Sequence, residues 1–382
     1  MLKKVWLLGL GICLKVLSSI IPVKKGLWVF GSQGGRAFAD NSKYFYLYVE
    51  KSRTEISPVW ISQSVKVVRK LKETGHKCSY NFSLVGLYNV LRADTIIFCT
   101  SRNDILFVFP KRGRKIINLW HGMPMKKIVY DFPQHAGREA KLSDRLWSSF
   151  IAGFKHSHVD FIPATSDFFV PLLSSAFRNN SVFVTGLPRN DVFFEWNKAD
   201  VKQKLGFMAD DFIVTYMPTH RAYGKGVQNP HIFLKNKEAI KYFQANSIKV
   251  VWKFHVNMLG NYCPPSEHES VFVNLSGVNV DPQELLFVSD MLITDYSSCY
   301  IDFLLLNRPV AFYLYDNYQE EDNDLYFRPQ DHPVGRVCFN EKDLFSAVKS
   351  SSVPLAKFYH HFNDGNASRR ILEMIRPKYV KD

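Results

Sequence analysis

The stretch Ile293-Thr-Asp-Tyr-Ser-Ser-Cys-Tyr-Ile-Asp302 decides the fold, because it predicts a buried strand that turns directly into a helix. Its first residues form an apolar run typical of a strand, and its second half repeats with helical spacing. Asp295 is a favourable N-cap, and Ser297 and Ser298 fall in the first helical turn. Backbone N–H groups, two hydroxyls and the helix dipole would then attract an anion. A capped, buried helix without a ligand fits the same residues.

Short β-rich runs alternate with helical stretches from Leu27 onward, which predicts parallel sheets covered by helices. The predicted strands are 27–30, 57–61, 95–98, 116–120, 161–162, 182–184, 212–216, 249–253, 271–273, 291–293 and 310–313. Lys and Asp replace the apolar pattern over residues 197–211, so a domain boundary is expected there. The chain has 382 residues and 46% hydrophobic content, which is enough for two cores. The sequence therefore predicts an α/β fold with two Rossmann-like domains, 26–205 and 206–382.

Composition excludes several classes of protein. The 49 Lys and Arg residues exceed the 35 Asp and Glu residues, which gives a formal charge of +14. Such a charge favours binding to polyanions, to anionic lipid surfaces or to phosphorylated substrates. The six cysteines form no C-x-x-C pair and no zinc-like spacing, so reduced thiols without a disulfide framework or metal site are expected.

Residues 5–23 are largely apolar and are flanked by lysines. A signal peptide would need a small-residue cleavage site that this segment lacks. A membrane-spanning helix needs about 20 apolar residues, whereas Lys15 interrupts this run and Pro22 ends it. The helical wheel separates a polar stripe from a leucine-rich face. We therefore predict an interfacial amphipathic helix over residues 1–25 on an anionic membrane surface, with a core-packed helix as the alternative.

Ligands of doubly wound sheets bind beyond the carboxyl ends of the strands, so motifs at strand ends take priority. Five such motifs occur: the glycine-rich turn 30–36, and segments 118–127, 186–191, 216–221 and 253–255. Each of them also fits a purely structural role. Together they bring many hydrogen-bond donors and few carboxylates to the strand ends, which favours a diphosphate ligand.

His121 ends one of these strands, and Gly122 allows the chain to turn sharply after it. Imidazole has an unperturbed pKa of about 6.5, which suits it to remove a proton near neutral pH. A histidine satisfied by local hydrogen bonds is the alternative.

In order and spacing, these motifs resemble those of the CDP-glycerol glycerophosphotransferases, a bacterial family that builds teichoic-acid-like polymers and includes primases and polymerases. The resemblance covers nearly the whole chain. The segments that carry it are 35–41, 119–124, 186–191, 218–221, 253–255, 294–298, 302, 308–309 and 364–368.

The resemblance implies a glycosyltransferase-B arrangement with an acceptor and catalytic-base domain at 26–205 and a CDP-polyol donor domain at 206–382. The last helix could pack back on the first domain. The resemblance also implies that His121 activates the acceptor hydroxyl, that His255 contacts the donor phosphates, and that CMP leaves. The donor-binding positions it implies are Gly122, Met123, Pro124, Met125, Arg189, Pro218, Thr219, Arg221, Lys253, Phe254, Ser297, Ser298 and Asp302. No metal or cofactor is expected.

The expected reaction transfers glycerol phosphate from CDP-glycerol to a hydroxyl of an undecaprenyl-diphosphate-linked saccharide or a growing polymer. The expected location is the cytoplasmic face of the cell membrane, as a peripheral protein. His220 stands where the family usually has tryptophan, and Val256 where proline is common, so CDP-ribitol or a nucleotide sugar are alternative donors. A basic nucleic-acid-binding protein is a third alternative, based on the cluster 111–115, but that cluster lacks interleaved aromatic residues.

Overall fold

Apolar runs form the strands of parallel sheets, so the predicted α/β class is confirmed. The computed structural model describes residues 16–17, 20–52, 55–106, 113–132, 159–219, 232–254, 268–276, 278–315, 324–332, 334–350 and 358–376. The chain divides into unit 1, residues 1–121, 129–191 and 364–382, and unit 2, residues 122–128 and 192–363. The division after Asp191 lies earlier in the chain than the predicted boundary at 205.

Five strands form the main sheet of unit 1: β1 (Lys24–Phe30), β2 (Ser57–Ser62), β3 (Cys78–Tyr80), β4 (Ala93–Phe98) and β5 (Lys115–Asn118). They pair in parallel in the order β3-β2-β1-β4-β5. A parallel pair, β6 (Ile162–Ala164) and β7 (Val182–Val184), continues the sheet beyond β5. The link is a parallel bridge between Ile117 and Phe161, beside which Asn118 N donates to Phe161 O at 3.0 Å.

Helices connect these strands, as parallel pairing requires. They are α1 (Asp40–Lys51), α2 (Val65–Glu73), α3 (Leu84–Arg92) and α4 (Phe169–Phe177). The core between sheet and helices is rich in aromatic rings. The Tyr46 ring lies edge-on to Phe30 at 5.4 Å and to Trp60 at 5.9 Å, measured between centroids. Such pairs add to the free energy gained by burying apolar area.

Unit 2 contains a second parallel sheet. Its strands are β8 (Phe212–Tyr216), β9 (Ile248–Trp252), β10 (Phe272–Asn274), β11 (Met291–Thr294), β12 (Val310–Tyr313) and β13 (Arg336–Cys338), in the order β10-β9-β8-β11-β12-β13. Its helices are α5 (Lys198–Lys204), α6 (Lys237–Ala245), α7 (Pro282–Val288), α8 (Cys299–Phe303) and α9 (Glu341–Lys349). β8 lies between β9 and β11, so their three carboxyl ends are neighbours.

The predicted strands all overlap strands of the structure, but β3 and β13 are absent from the prediction. Both strands are short and lack an apolar run, since Ser79 lies at the centre of β3 and Arg336 begins β13. Short 3-10 helices also occur at Gln33–Gly35, Arg102–Asp104, Pro188–Phe194, Leu304–Leu306 and Pro329–Asp331.

Most of the interfacial helix predicted over residues 1–25 lies outside the described residues, which begin at 16. Lys24 and Lys25 belong to β1, so that end of the prediction is wrong. Within the described part of the chain, no helix combines the length and apolar character needed to cross a membrane.

The final helix, α10 (Ala367–Ile375), belongs to unit 1. Asp191 accepts hydrogen bonds from the backbone N–H groups of Ala367 and Ser368, both at 2.8 Å. Arg370 Nε donates to Thr185 O at 2.9 Å. The Asp191 carboxylate therefore accepts from N–H groups that have no partner within α10, and Arg370 links the helix to the segment after β7.

We expect Asp191→Ala to loosen α10, because two buried N–H groups would lose their acceptor. The expected cost is about 1–2 kcal/mol of local stability. Hydrogen exchange of the peptide that covers α10 should accelerate accordingly. Glu373→Ala, on an exposed position of the same helix, is the control and should leave exchange unchanged. Equal exchange in Asp191→Ala and the wild type would contradict this role for Asp191.

Candidate active site

β5 ends at Asn118, and a tight turn then presents His121. Asn118 Oδ1 accepts a hydrogen bond from Trp120 N at 3.0 Å, and Trp120 has a φ of 50°. A left-handed backbone is uncommon for a bulky residue, so neighbouring contacts must hold it. The Trp120 ring lies edge-on to Phe177 at 4.9 Å and tilted against the His121 imidazole at 4.1 Å between centroids. The turn thus fixes both the backbone and the ring of His121.

The pKa of His121 is lowered from its ordinary value, mainly because crowding by protein atoms disfavours the charged imidazole. The residue is nevertheless exposed to solvent. Asp40 and a hydrogen bond to the backbone of Cys99 raise the pKa, whereas Arg189 lowers it. The net effect favours neutral imidazole at physiological pH, which is the form that accepts a proton.

Arg189 lies beside His121 in unit 1. Its Nη1 donates to His121 O at 2.8 Å and to Asp40 Oδ1 at 2.9 Å. Asn41 joins the same group, since its Nδ2 donates to Trp120 O at 2.8 Å and its Oδ1 accepts from Arg189 N at 3.1 Å. The structure therefore places this predicted donor-binding arginine against the turn that carries the predicted base.

The glycine-rich turn after β1 is held by Asp104. Asp104 Oδ1 accepts from Gly34 N at 2.7 Å, and its Oδ2 accepts from Cys99 N and Thr100 N. A Cβ on Gly31 would lie 2.3 Å from Asp104 O, so glycine is required at that position. These contacts account for the conformation of the turn. The N–H group of Gly34 already donates to Asp104, so it is not available to bind a phosphate.

The segment directly after His121 belongs to unit 2. Met123, Pro124 and Met125 are buried, and Gly122 has a φ of 138°. Met125 O accepts from Tyr326 N at 2.8 Å, which pins the segment to a neighbouring loop. The predicted donor-binding positions 122–125 therefore form a buried segment that is held by a backbone hydrogen bond.

In unit 2, Thr219 and Asp295 join the carboxyl ends of β8 and β11. Asp295 Oδ1 accepts from Thr219 N at 2.8 Å and from Thr219 Oγ1 at 2.6 Å. Asp295 was predicted as the N-cap of the following helix, and that prediction is wrong. The N-cap is Ser298, which makes no side-chain capping bond. The carboxylate binds across the sheet because Thr219 lies on the adjacent strand end.

Ser297 and Ser298 lie half-buried before α8, which begins at Cys299, so the prediction that they fall in the first helical turn is wrong. Asp302 is buried within α8, and burial raises the pKa of the adjacent Cys299 thiol to about 11. His360, which lies far from α8 in the sequence, also contacts this helix: its Nε2 donates to Ile301 O at 2.6 Å. Desolvation lowers the pKa of His360, so this imidazole is a neutral structural donor.

Lys253 follows β9, but its ammonium group is engaged. Its Nζ donates to Val278 O at 2.9 Å and to Leu275 O at 3.1 Å. Desolvation lowers the pKa of Lys253, and Asp281 raises it. Phe254, which is buried, packs edge-on to Tyr216 at 5.9 Å between centroids. Lys253 therefore holds the loop after β10, and Phe254 belongs to the core.

Two predicted site residues, Arg221 and His255, lie outside the described residues, as do His220 and Val256. In the described ranges, no group of three or more His, Cys, Asp and Glu side chains is arranged to hold a metal ion.

Sequence reasoning missed the links that Asp40, Asn41 and Asp104 make to the strand ends. In the sequence, Asp40 and Asn41 belong to segment 35–41, which carries the family resemblance but does not identify their partners. Adjacent acidic and amide residues at a helix start can point back to neighbouring strand ends, but nothing in the sequence identifies the partner.

Comparison with known proteins supports the resemblance. The chain is 24% identical over 378 residues to the teichoic acid poly(glycerol phosphate) polymerase of Bacillus spizizenii, covering 93% of both chains. It is 27% identical over 384 residues to the teichoic acid glycerol-phosphate transferase of Staphylococcus aureus, covering 94% of this chain and 95% of the relative.

A solved structure of the wall teichoic acid polymerase TagF has the same fold. Its TM-score is 0.74 and its identity 22%, covering 92% of this chain and 89% of the solved chain. The family model described as CDP-glycerol:poly(glycerophosphate) glycerophosphotransferase matches residues 13–376. From the fold, the strand-end motifs and this match, the chain belongs to the CDP-glycerol:poly(glycerophosphate) glycerophosphotransferase family.

Proposed function

We propose that this chain transfers glycerol phosphate from CDP-glycerol to a hydroxyl group of a growing teichoic-acid-type polymer. Family membership supports the donor and the reaction. The single observation that carries the chemistry is His121, an imidazole with a lowered pKa at the carboxyl end of β5. Ligands of parallel α/β sheets bind at such ends, and neutral imidazole is a suitable base.

In the proposed reaction, His121 takes the proton of the acceptor hydroxyl while that oxygen attacks the phosphorus atom that carries glycerol. A new P–O bond forms, and the bond between this phosphorus and the bridging oxygen of the diphosphate breaks. CMP leaves with the bonding electrons. Phosphoryl transfer depends mainly on position and charge stabilisation, so the protein needs a base and a set of donors.

Unit 2 is proposed to supply the hydrogen-bonding and charged groups that bind CDP-glycerol. Ser297 and Ser298 are half-buried hydroxyl groups at the carboxyl end of β11, and Thr219 lies at the end of the adjacent β8. The Thr219 hydroxyl donates to Asp295 and can still accept. The ammonium group of Lys253 donates to carbonyl groups of the loop after β10, so Lys253 is proposed to contribute positive charge to the site without binding the phosphates directly. The glycosyltransferase-B arrangement stays a prediction.

A peripheral location on an anionic membrane is part of the proposal, since the expected acceptor is a lipid-linked saccharide or polymer. Helix α3 and the turn before it expose the apolar side chains of Phe82, Leu84, Val85 and Tyr88. Val16, Leu17 and Ile20 are also exposed, and Lys24 and Lys25 follow them. Arg92 Nε at the end of α3 donates to Pro22 O at 3.4 Å, so the two exposed segments are neighbours. Apolar side chains flanked by lysines are typical of surfaces that bind anionic lipid.

Purified protein should release CMP from CDP-glycerol in the presence of a teichoic-acid-type lipid acceptor. CDP-ribitol and a nucleotide sugar, offered under the same conditions, test the alternative donors. Release of CMP from CDP-ribitol alone would replace the glycerol assignment with a ribitol one.

His121→Ala should lower turnover by about 10²–10⁴-fold, because the reaction loses its base. Binding of CDP-glycerol, measured by calorimetry, should be largely preserved. His361→Ala, an exposed histidine of unit 2, is the control. In the wild type, kcat/KM should fall as the pH drops through the lowered pKa of His121, because the protonated imidazole cannot act as a base. Near-normal turnover by His121→Ala would refute the assignment.

The combined substitution Leu84→Ser, Val85→Ser and Tyr88→Ser should reduce sedimentation with phosphatidylglycerol vesicles, because it removes the apolar surface of α3. Met208→Ser, an exposed apolar position of unit 2, is the matched control and should sediment like the wild type. If the triple variant sediments as fully as the wild type, α3 is not the lipid-binding surface.

A further inference from the structure

We propose that Asp40, Asn41 and Arg189 act together as positioning residues for His121. In this network, Asn41 fixes the backbone ahead of the imidazole, and the Asp40–Arg189 pair sets the charge beside it. The proposal rests on the proposed role of His121 as the base. It assigns Arg189 a role in positioning the base, whereas the family resemblance implied that Arg189 contacts CDP-glycerol.

Asn41 is fully buried and uses both ends of its amide group. Its Nδ2 donates to Trp120 O at 2.8 Å and to Leu119 O at 3.3 Å. These carbonyl groups belong to the left-handed turn that precedes His121. Its Oδ1 accepts from Arg189 N at 3.1 Å. One side chain thus joins the turn after β5 to the turn after β7.

Asp40 and Arg189 form an ion pair that reaches the base. Asp40 Oδ1 lies 2.9 Å from Arg189 Nη1, and both side chains are about 12% exposed. The same Nη1 donates to His121 O at 2.8 Å. Asp40 itself has a φ of 63°, which is the left-handed region, at the start of α1. Partial burial weakens the screening of such a pair by solvent.

The groups that act on the imidazole come from three elements. Asp40, at the start of α1, favours its protonated form, and Arg189, after β7, disfavours it. The backbone of Cys99, after β4, accepts a hydrogen bond from the ring and favours the protonated form. Because the carboxylate and the guanidinium act in opposite directions, removing either one should move the equilibrium in a predictable direction.

The direct test is an NMR titration of the His121 imidazole in the full-length protein, with His121→Ala used to identify its signal. Asp40→Asn should shift the titration to lower pH, because the remaining Arg189 charge disfavours imidazolium. Asparagine tolerates a positive φ, so this variant is expected to fold. Arg189→Gln should shift the titration to higher pH. Glu73→Gln, an exposed position on α2, should leave it unchanged.

Opposite shifts in the two variants would be the signature of the network, since general loosening of the fold would move both in the same direction. Shifts in the same direction, or none, would overturn the proposal. This titration needs no substrate. Failure of the proposed function would instead appear as absence of CMP release from CDP-glycerol by the wild type.

Asn41→Ala tests the backbone part of the network. Loss of the amide should lower kcat for CMP release by roughly tenfold or more, because the base is no longer held in place. The KM for CDP-glycerol should change little, since the donor groups are proposed in unit 2. A kcat equal to that of the wild type, or an increase in KM alone, would contradict a positioning role for Asn41.

Discussion

Parallel strand pairing is the constraint on which the rest of the structure depends. Every strand must be followed by a crossover, and every loop that leaves a carboxyl end lies at the same edge of its sheet. In unit 1 this brings the segments after β1, β4, β5 and β7 together around His121. In unit 2 it places Thr219 beside Asp295. Side-chain hydrogen bonds then link particular loops: Asn41 joins the turns after β5 and β7, and Asp295 joins the ends of β8 and β11.

The strand pattern and the strand-end motifs could be predicted from the sequence, because apolar periodicity and glycine-containing turns are local signals. The use of each polar side chain could not. Asp295 had the right spacing for a cap, yet it binds Thr219 across the sheet, since partner choice depends on strand order. Lys253 was expected to face a phosphate, and it binds two carbonyl groups of the loop after β10. Long-range partners of this kind leave no trace in residue spacing.

His121 is the proposed base, and in the part of the chain that the structure describes no carboxylate is bonded to its ring. Crowding by protein atoms lowers the pKa of the imidazole, and the ring contacts Trp120 and the backbone of Cys99. Asn41 holds the backbone ahead of His121, whereas the charges of Asp40 and Arg189 act on the pKa of its imidazole. Position and charge are therefore set by different contacts, which allows them to be separated by substitution.

The most direct test of the proposed reaction is ³¹P NMR of purified protein mixed with CDP-glycerol and a defined glycerol-phosphate-primed acceptor. The proposed mechanism predicts that a new phosphodiester signal grows in step with CMP, because each attack forms one P–O bond and breaks another. Release of CMP without a phosphodiester would show hydrolysis, and an unchanged diphosphate signal would show no reaction with this donor. Either result would contradict glycerol phosphate transfer by this chain.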